Sequence, residues 1–187
     1  MIEIVDYQSG WQEEFLALAK GLKHELGPLA LKLEHIGSTS VPNLAAKDII
    51  DIQLSVAEFS QETIEAVIRA GYKLGIHRQD HLPPGEHDVS KWTKRIFQPG
   101  PGQKKVLRPV NLHMRLAGSA NERYALLFRD YLRTHPAAAE GYQAVKKALI
   151  NHHPEDDMNV YYDVKDPVCD IIMVGAEAWA RQVAWQV

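Results

Sequence analysis

A short run of glycine and hydroxyl-bearing residues, followed by a strongly apolar strand, dominates this sequence. The run is Gly37-Ser38-Thr39-Ser40, and it comes directly after an apolar-flanked segment. Its composition is typical of a tight turn, and the backbone N–H groups and hydroxyls of such a turn can surround an anion. The turn is therefore a candidate phosphate site, with Gly37, Ser38 and Thr39 as the candidate binding residues.

The strand after the turn contains a single acid. Residues 49–54 read Ile-Ile-Asp-Ile-Gln-Leu, a β-branched run that is typical of a buried strand. Asp51 stands where a carboxylate could hold a divalent metal ion beside the turn. The turn and the strand together make half of a nucleotide site.

Length and composition favour one domain that spans residues 1–187. The chain has 187 residues, of which 45% are hydrophobic, enough for one core and short for two. A net charge of −3 offers no general face for nucleic acid, so nucleic acid is not an expected partner. The lone Cys169 excludes an intrachain disulfide, and the sequence shows neither a basic leader nor a membrane-length apolar run. We therefore expect a cytoplasmic protein with no membrane association; the sequence does not predict an oligomeric state.

Apolar periodicity predicts alternating helices and strands in the N-terminal half. Ser9 and Gln12 form a capping box that begins an amphipathic helix, which ends at a Gly-Pro pair. A strand leads into the glycine turn, and the apolar strand follows it. A second helix is predicted over 58–70, ended by Gly71, and another strand over 72–76.

The second half is predicted to contain a loop, a hairpin and then helices. A polar stretch with prolines and glycine over 77–88 predicts a long mobile loop. Strands over 92–97 and 106–114, joined by a Pro-Gly-rich turn, predict a hairpin that leaves His113 near the end of a central strand. Helices are predicted over 121–132, 137–150 and 176–183, while 168–174 fits either strand or helix.

Several separated blocks of this sequence fall in an order that resembles a known family. The blocks are His-Ile-Gly-Ser-Thr-Ser-Val-Pro at 35–42, Ala-Ala-Lys at 45–47, Ile-Ile-Asp-Ile at 49–52, Lys-Arg-Ile-Phe at 94–97, Asn-Leu-His at 111–113 and Leu-Phe-Arg-Asp-Tyr-Leu-Arg at 127–133, with Tyr142 and Lys146 beyond them. Over nearly its whole length the chain resembles the GrpB family. This resemblance implies an α+β, nucleotidyltransferase-like fold: a mixed β-sheet flanked by helices, with a mainly helical C-terminal part. Some members are fused to dephospho-CoA kinase, which implies that enzyme as a partner and a link to coenzyme A biosynthesis.

The resemblance also implies roles for individual residues. In nucleotidyltransferase-like proteins, a Gly-Ser turn holds phosphates, and carboxylates on neighbouring strands bind two Mg²⁺ or Mn²⁺ ions. Asp51 matches the first carboxylate, but Gln53 stands where the second is expected, and the later strand offers Asn111 and His113. Asp51 and His113 would then be the catalytic residues of nucleotidyl transfer. Because only one acid is present, the sequence leaves open whether this transfer occurs.

Two alternatives follow from the missing acids. A cluster of His35, Asp51 and His113 would offer mixed nitrogen and oxygen ligands, which favour Zn²⁺ or Ni²⁺. Alternatively, the domain is a catalytically decayed binding or folding-assistance module.

Basic residues near the turn indicate an anionic ligand. Lys47, Lys94 and Arg95 match family positions and would attract a nucleotide or a phosphorylated small molecule. The histidines and aspartates of the 77–88 stretch are interpreted as part of a flexible lid or an adventitious metal site.

Overall fold

The computed structural model describes residues 3–100, 108–152 and 158–187, which form five helices and five strands. The helices are α1 (Gly10–Leu26), α2 (Gln61–Arg69), α3 (Ala120–Thr134), α4 (Pro136–His152) and α5 (Met158–Gln182). The strands are β1 (Lys32–Ile36), β2 (Ile50–Val56), β3 (Tyr72–Leu74), β4 (Arg95–Pro99) and β5 (Val110–Leu116). The α+β class and the helical C-terminal part are confirmed.

The strands form one mixed sheet in the order β1-β2-β5-β4-β3. Strands β2 and β5 run parallel, and the other neighbours run antiparallel. The register sets Asp51 beside Asn111 and Gln53 beside His113. Because successive side chains of a strand point to opposite faces, these four residues share one face of the sheet. His113 lies in the middle of the central strand rather than near its end, because β5 continues to Leu116.

The other face of the sheet packs against α1 and α2 and forms the main core. Ile50, Ile52 and Leu54 of β2 are fully buried there, as is Trp11 of α1. Burying a large apolar side chain of this kind stabilises the fold by about 1.5–3 kcal/mol. The strand predicted from its β-branched run therefore fixes the centre of the molecule.

A second core lies among the C-terminal helices and the segment that follows the turn. It contains Val41, Leu44, Leu132, Tyr142 and Cys169. The Cys169 thiol donates to the Tyr142 hydroxyl at 3.7 Å, so this cysteine is the small buried side chain that was predicted. This core joins the turn region to α3, α4 and α5.

Several local predictions differ from the structure. Ser9 precedes α1, but its backbone is already helical and its side chain makes no capping hydrogen bond, so the predicted capping box is wrong. Gly71 does end α2, with a φ of 94°. Strands β4 and β5 are antiparallel neighbours, as the hairpin requires, and residues 101–103 of the turn predicted over 98–103 lie outside the described residues. The ambiguous run 168–174 is helical and belongs to α5.

His35 is built into the interface between β1 and α1. Its ring stacks on Phe15 at 4.8 Å between centroids, Nδ1 lies 3.2 Å from Gln12 Oε1, and Nε2 lies 3.0 Å from Thr39 Oγ1. The Thr39 hydroxyl itself donates to the Ile49 carbonyl at 3.0 Å. Burial lowers the pKa of His35 to about 4, with a smaller contribution from the positive charge of Arg133.

Acid should therefore destabilise the fold through His35. The unfolded chain accepts a proton on this ring below about pH 6.5, whereas the folded protein resists protonation until about pH 4. The contribution of His35 to the free energy of unfolding is therefore fully present above about pH 6.5 and is lost as the pH falls towards about 4. The total loss is about 3 kcal/mol. Urea unfolding across this range should show a smaller acid-induced loss for His35→Gln than for the parent chain. The exposed His24→Gln on α1 is the control, and parallel curves for all three proteins would contradict the assignment.

Candidate functional site

The glycine turn closes directly over the Asp51 carboxylate. Gly37 has a φ of 71°, a conformation that side chains disfavour, and Ser38–Ser40 form a single 3₁₀ turn after it. A Cβ atom on Gly37 would clash with Asp51 Oδ2. Glycine is therefore required here for its backbone conformation and for the close approach of the carboxylate.

Asp51 is held by two side chains from β5. Asn111 Nδ2 donates to Asp51 Oδ1 at 3.0 Å, and His113 Nε2 lies 3.6 Å from the same oxygen. Burial raises the pKa of Asp51, but His113 and Asn111 outweigh it and hold the pKa below its ordinary value. Because 27% of the side chain remains exposed, an ionised carboxylate faces the solvent.

His113 remains neutral at physiological pH. Burial lowers the pKa of His113, and the positive charges of Arg115 and Lys94 lower it further. Asp51 opposes this shift. His113 Nδ1 is buried and lacks a hydrogen-bond partner among the described residues. A neutral imidazole next to an ionised carboxylate can accept a proton or bind a metal ion.

A second carboxylate reaches this face of the sheet from the 77–88 loop. Asp80 accepts hydrogen bonds from Lys94 Nζ at 2.5 Å, from Arg115 Nε at 2.9 Å and from Asn121 Nδ2 at 2.9 Å. Burial raises the pKa of Asp80, but Arg115 and Lys94 reverse this and lower it strongly. Arg115 also donates to Gln53 Oε1 at 2.6 Å. The positive charge of Lys94 is thus already paired within the protein.

Two lysines from distant parts of the chain lie near Asp51. Lys47 Nζ lies 3.7 Å from the ring centre of Tyr161, and Lys165 Nζ is 3.0 Å from Asp166 Oδ1. Burial lowers the pKa of Lys47 to about 8, and the charge of Lys165 contributes. Each lysine acts electrostatically on Asp51, and the charge of Lys165 also acts on Lys47, which places both charges near the carboxylate.

Lys146 of α4 is fully buried behind the turn. Its Nζ donates to the Ala45 carbonyl at 2.6 Å and to Ser38 Oγ at 3.1 Å, and lies 4.6 Å from the ring centre of Tyr142. Burial lowers the pKa of Lys146 to about 7, and the charges of Lys165 and Lys47 contribute.

The structure separates His35 and Arg95 from the other predicted site residues. His35 pairs with Ile52, so its ring lies on the α1 face, opposite to Asp51 and His113. This placement corrects the expectation that these three side chains share a metal ion. Arg95 also lies on the far face, with its guanidinium 4.6 Å from the ring centre of Phe59. Thr39 is buried and serves to hold the turn against His35.

The predicted three-ligand metal set is therefore not assembled. Within 3–100, 108–152 and 158–187, no group of three or more His, Cys, Asp or Glu side chains could hold a metal ion. Asp48, which the sequence places close to Asp51, instead accepts from Trp11 Nε1 at 2.6 Å and pairs with Arg108. Any metal ion at Asp51 would need further ligands from a bound molecule or water.

Sequence reasoning missed Asp80 and Arg115. The two residues are far apart in sequence, and they are in contact because the 77–88 loop folds back over β5. One signal was available: Asn111, His113 and Arg115 alternate along β5, which predicts one polar sheet face. That alternation would have added Arg115 to the candidate site.

An apolar cavity of about 580 Å³ lies between the 77–88 loop, α3 and α5. Its walls include Pro83, Trp92 and Tyr124, together with Ile171 and Val174 of α5. The last two are 72% and 73% exposed. His81 anchors the loop beside this cavity, with Nε2 at 3.0 Å from Asp170 Oδ1.

None of the helices in the described part of the chain is long and apolar enough to cross a membrane.

Fold and site together define an α+β domain in which a Gly-Ser turn covers an aspartate on the polar face of a mixed sheet. The GrpB protein family matches residues 1–174, and the chain belongs to that family. The crystal structure of conserved protein GrpB from Enterococcus faecalis is similar, with a TM-score of 0.70 at 35% identity, covering 95% of this chain and 99% of that one. The predicted family membership is thus confirmed.

Two longer relatives place the chain in context. The UPF0157 protein YqkA of Bacillus subtilis is 37% identical over 180 residues, covering 96% of this chain and 48% of YqkA. A dephospho-CoA kinase of Mycolicibacterium paratuberculosis is 31% identical over 206 residues, covering 99% of this chain and 48% of that enzyme. The chain therefore spans about half the length of each of these relatives.

We expect Asp80→Asn to destabilise the protein by about 3 kcal/mol, because it leaves Lys94 and Arg115 largely buried without a counter-charge. Urea unfolding measures the loss, and limited proteolysis should cut the 77–88 loop faster in the variant. Asp88→Asn is the matched control on the same loop, since its side chain is 46% exposed and bonds within its own turn. Equal stability of the two variants would show that Asp80 does not anchor the loop.

Proposed function

We propose that this chain binds a nucleotide or a phosphorylated small molecule, together with one divalent metal ion, between the Gly37 turn and Asp51. The supporting observation is the approach of the turn to an ionised carboxylate, with Lys47 beside them. A phosphate held by the turn would be repelled by Asp51 alone. A divalent cation between the two removes this repulsion, and the lysine neutralises further charge.

The residues present fit a metal ion that arrives with its ligand. Asp51 supplies one carboxylate, and His113 Nε2 faces the same point. Mg²⁺ is commonly bound through one or two carboxylates, with phosphate oxygens and water completing its coordination. Mn²⁺ fits the same set, and the imidazole also admits Zn²⁺ or Ni²⁺. Nucleotide and metal are therefore expected to bind together, each weakly alone.

A nucleotidyl transfer reaction is the finer form of this proposal. The metal ion would polarise the phosphoryl group, as divalent ions do in phosphoryl-transfer sites. Where His113 does not ligate the metal ion, it is the candidate base for the attacking hydroxyl, which would displace pyrophosphate, because its imidazole is neutral and next to Asp51. This finer proposal includes the nucleotidyltransferase-like fold that the family resemblance implies, and such a fold would favour nucleotidyl transfer.

Calorimetric titration tests the binding proposal. ATP, CTP, GTP and dephospho-CoA are each titrated with Mg²⁺ or Mn²⁺, and at least one pair should bind. Asp51→Asn should weaken the metal-dependent binding about tenfold or more, because the carboxylate is the charged protein ligand of the ion. Asp6→Asn is the matched control, since that side chain is 93% exposed. Absence of binding for every ligand, or equal affinities for both variants, would refute the proposal.

A second candidate function is a binding or folding-assistance module for dephospho-CoA kinase, with a site that has lost catalysis. Two observations favour it. The relative of that name is more than twice as long as this chain, and β2 offers one carboxylate with Gln53 where a second acid would be needed. The exposed Ile171 and Val174 offer a surface for such a partner.

Titration of this chain into purified dephospho-CoA kinase tests the second candidate. A stable complex is expected, and Val174→Asp should weaken it because a charge would be buried in an apolar contact. The exposed Val187→Asp is the control. No complex, or a complex insensitive to Val174, would rule out the α5 surface as the docking site.

A further inference from the structure

Ser38 and Lys146 form a buried pair whose hydrogen-bond direction depends on one proton. Lys146 comes from α4, 108 residues along the chain from Ser38, and its Nζ is 3.1 Å from Ser38 Oγ. The side chain of Lys146 is 1% exposed, while Ser38 is partly exposed in the turn above Asp51. In the described part of the chain, this is the one hydrogen bond recorded for Ser38 Oγ.

A charged ammonium allows the hydroxyl only one role, whereas a neutral amine allows two. An ammonium group only donates, so it forces Ser38 Oγ to accept and leaves the serine hydrogen free to point elsewhere. A neutral amine has a lone pair that can accept, and Ser38 then donates to Lys146 instead. The first state thus frees the Ser38 hydrogen for a ligand, whereas in the second state Lys146 competes with the ligand for it.

We propose that Lys146, while protonated, is a positioning residue that turns Ser38 into a hydrogen-bond donor for a bound phosphate group. This inference rests on the proposed function, because it assumes an anionic ligand at the turn. It adds a residue from the helical part of the chain to the binding machinery. It also predicts that binding is linked to proton uptake.

The surroundings of Lys146 set its protonation in the relevant range. The groups that face it are Lys47 before β2, Tyr142 and Lys147 of α4, and Lys165 and Cys169 of α5. Burial lowers the pKa of Lys146 to about 7, and the lysine charges contribute to the same shift. A bound anion would oppose those charges and raise this pKa, so the complex should hold more protons than the free protein at neutral pH.

The test measures the affinity for Mg²⁺-ATP by calorimetry between about pH 7 and pH 9, where the ligand's terminal phosphate, with a second pKa of about 6, is already ionised. Affinity should fall as the pH rises. Ser38→Ala and Lys146→Met should each weaken binding about tenfold at the lower pH, the worth of one hydrogen bond to a charged group. The double variant should lose no more than either single variant, because Lys146 acts through Ser38.

Lys47 titrates in the same range, so the slope of the parent chain alone is not diagnostic. The diagnostic quantity is the part of the pH dependence of the affinity that Ser38→Ala and Lys146→Met remove equally. Lys20→Met on α1 is the control, since that lysine is exposed and is not among the groups that shift the pKa of Lys146; it should keep the full slope.

Repeating the titration with inorganic triphosphate shows which part of the ligand meets Ser38. The same losses with triphosphate support a contact with phosphate, and losses confined to ATP would overturn it. Should Lys146→Met fail to fold, the proton count of the parent chain and of Ser38→Ala, measured in buffers of different ionisation enthalpy, replaces it. A smaller uptake by Ser38→Ala supports the proposal. Additive losses, or equal uptake, would overturn it while leaving ligand binding intact, whereas no binding by any protein would refute the proposed function itself.

Discussion

The parallel pairing of β2 with β5 is the constraint on which the site depends. It sets three polar pairs side by side on one sheet face: Asp51 with Asn111, Gln53 with His113 and Ser55 with Arg115. The opposite face of the same two strands forms the main core with α1 and α2. A shift of the pairing by one residue would move the polar set into that core. The packing of Ile50, Ile52 and Leu54 therefore fixes the register of β2 and, with it, the positions of the polar side chains on the opposite face.

The same pairing explains why β2 can lack a second acid. Arg115 is largely buried and needs a counter-charge, and the carboxylate that supplies it comes from Asp80 in the loop. Gln53 then satisfies Arg115 with a neutral oxygen. The second carboxylate on this face is thus committed to two cations, while Asp51 remains partly exposed. A site of this kind has one acid to offer to a metal ion, which favours an ion that is brought and partly coordinated by a phosphate ligand.

The sequence predicted elements well where one periodicity dominates. The apolar spacing of α1, the β-branched run of β2 and the glycine turn all depend on local patterns, and the structure shows each of them. The same methods failed for His35 and Arg95, because the face that a strand residue occupies depends on register, which the turn motif does not specify. They also failed for Asp80, whose partner Arg115 is 35 residues away. Contacts of that separation arise from the path of the loop, which lacks any periodic pattern.

Cations from the C-terminal helices hold the backbone of the turn in place. Arg133 donates to the Ser40 carbonyl at 2.8 Å, Arg129 to the His35 carbonyl at 3.1 Å, and Lys146 to the Ala45 carbonyl. Arg129 and Arg133 also pair with Asp130.

Lys146 differs from the two arginines, because among the described residues it pairs with no carboxylate, and dipoles and the Tyr142 ring balance its positive charge. Burying such a charge is costly unless something compensates it. An anion bound at Ser38 would provide that compensation, so the helical part of the chain both shapes the turn and supplies an electrostatic reason for it to bind phosphate.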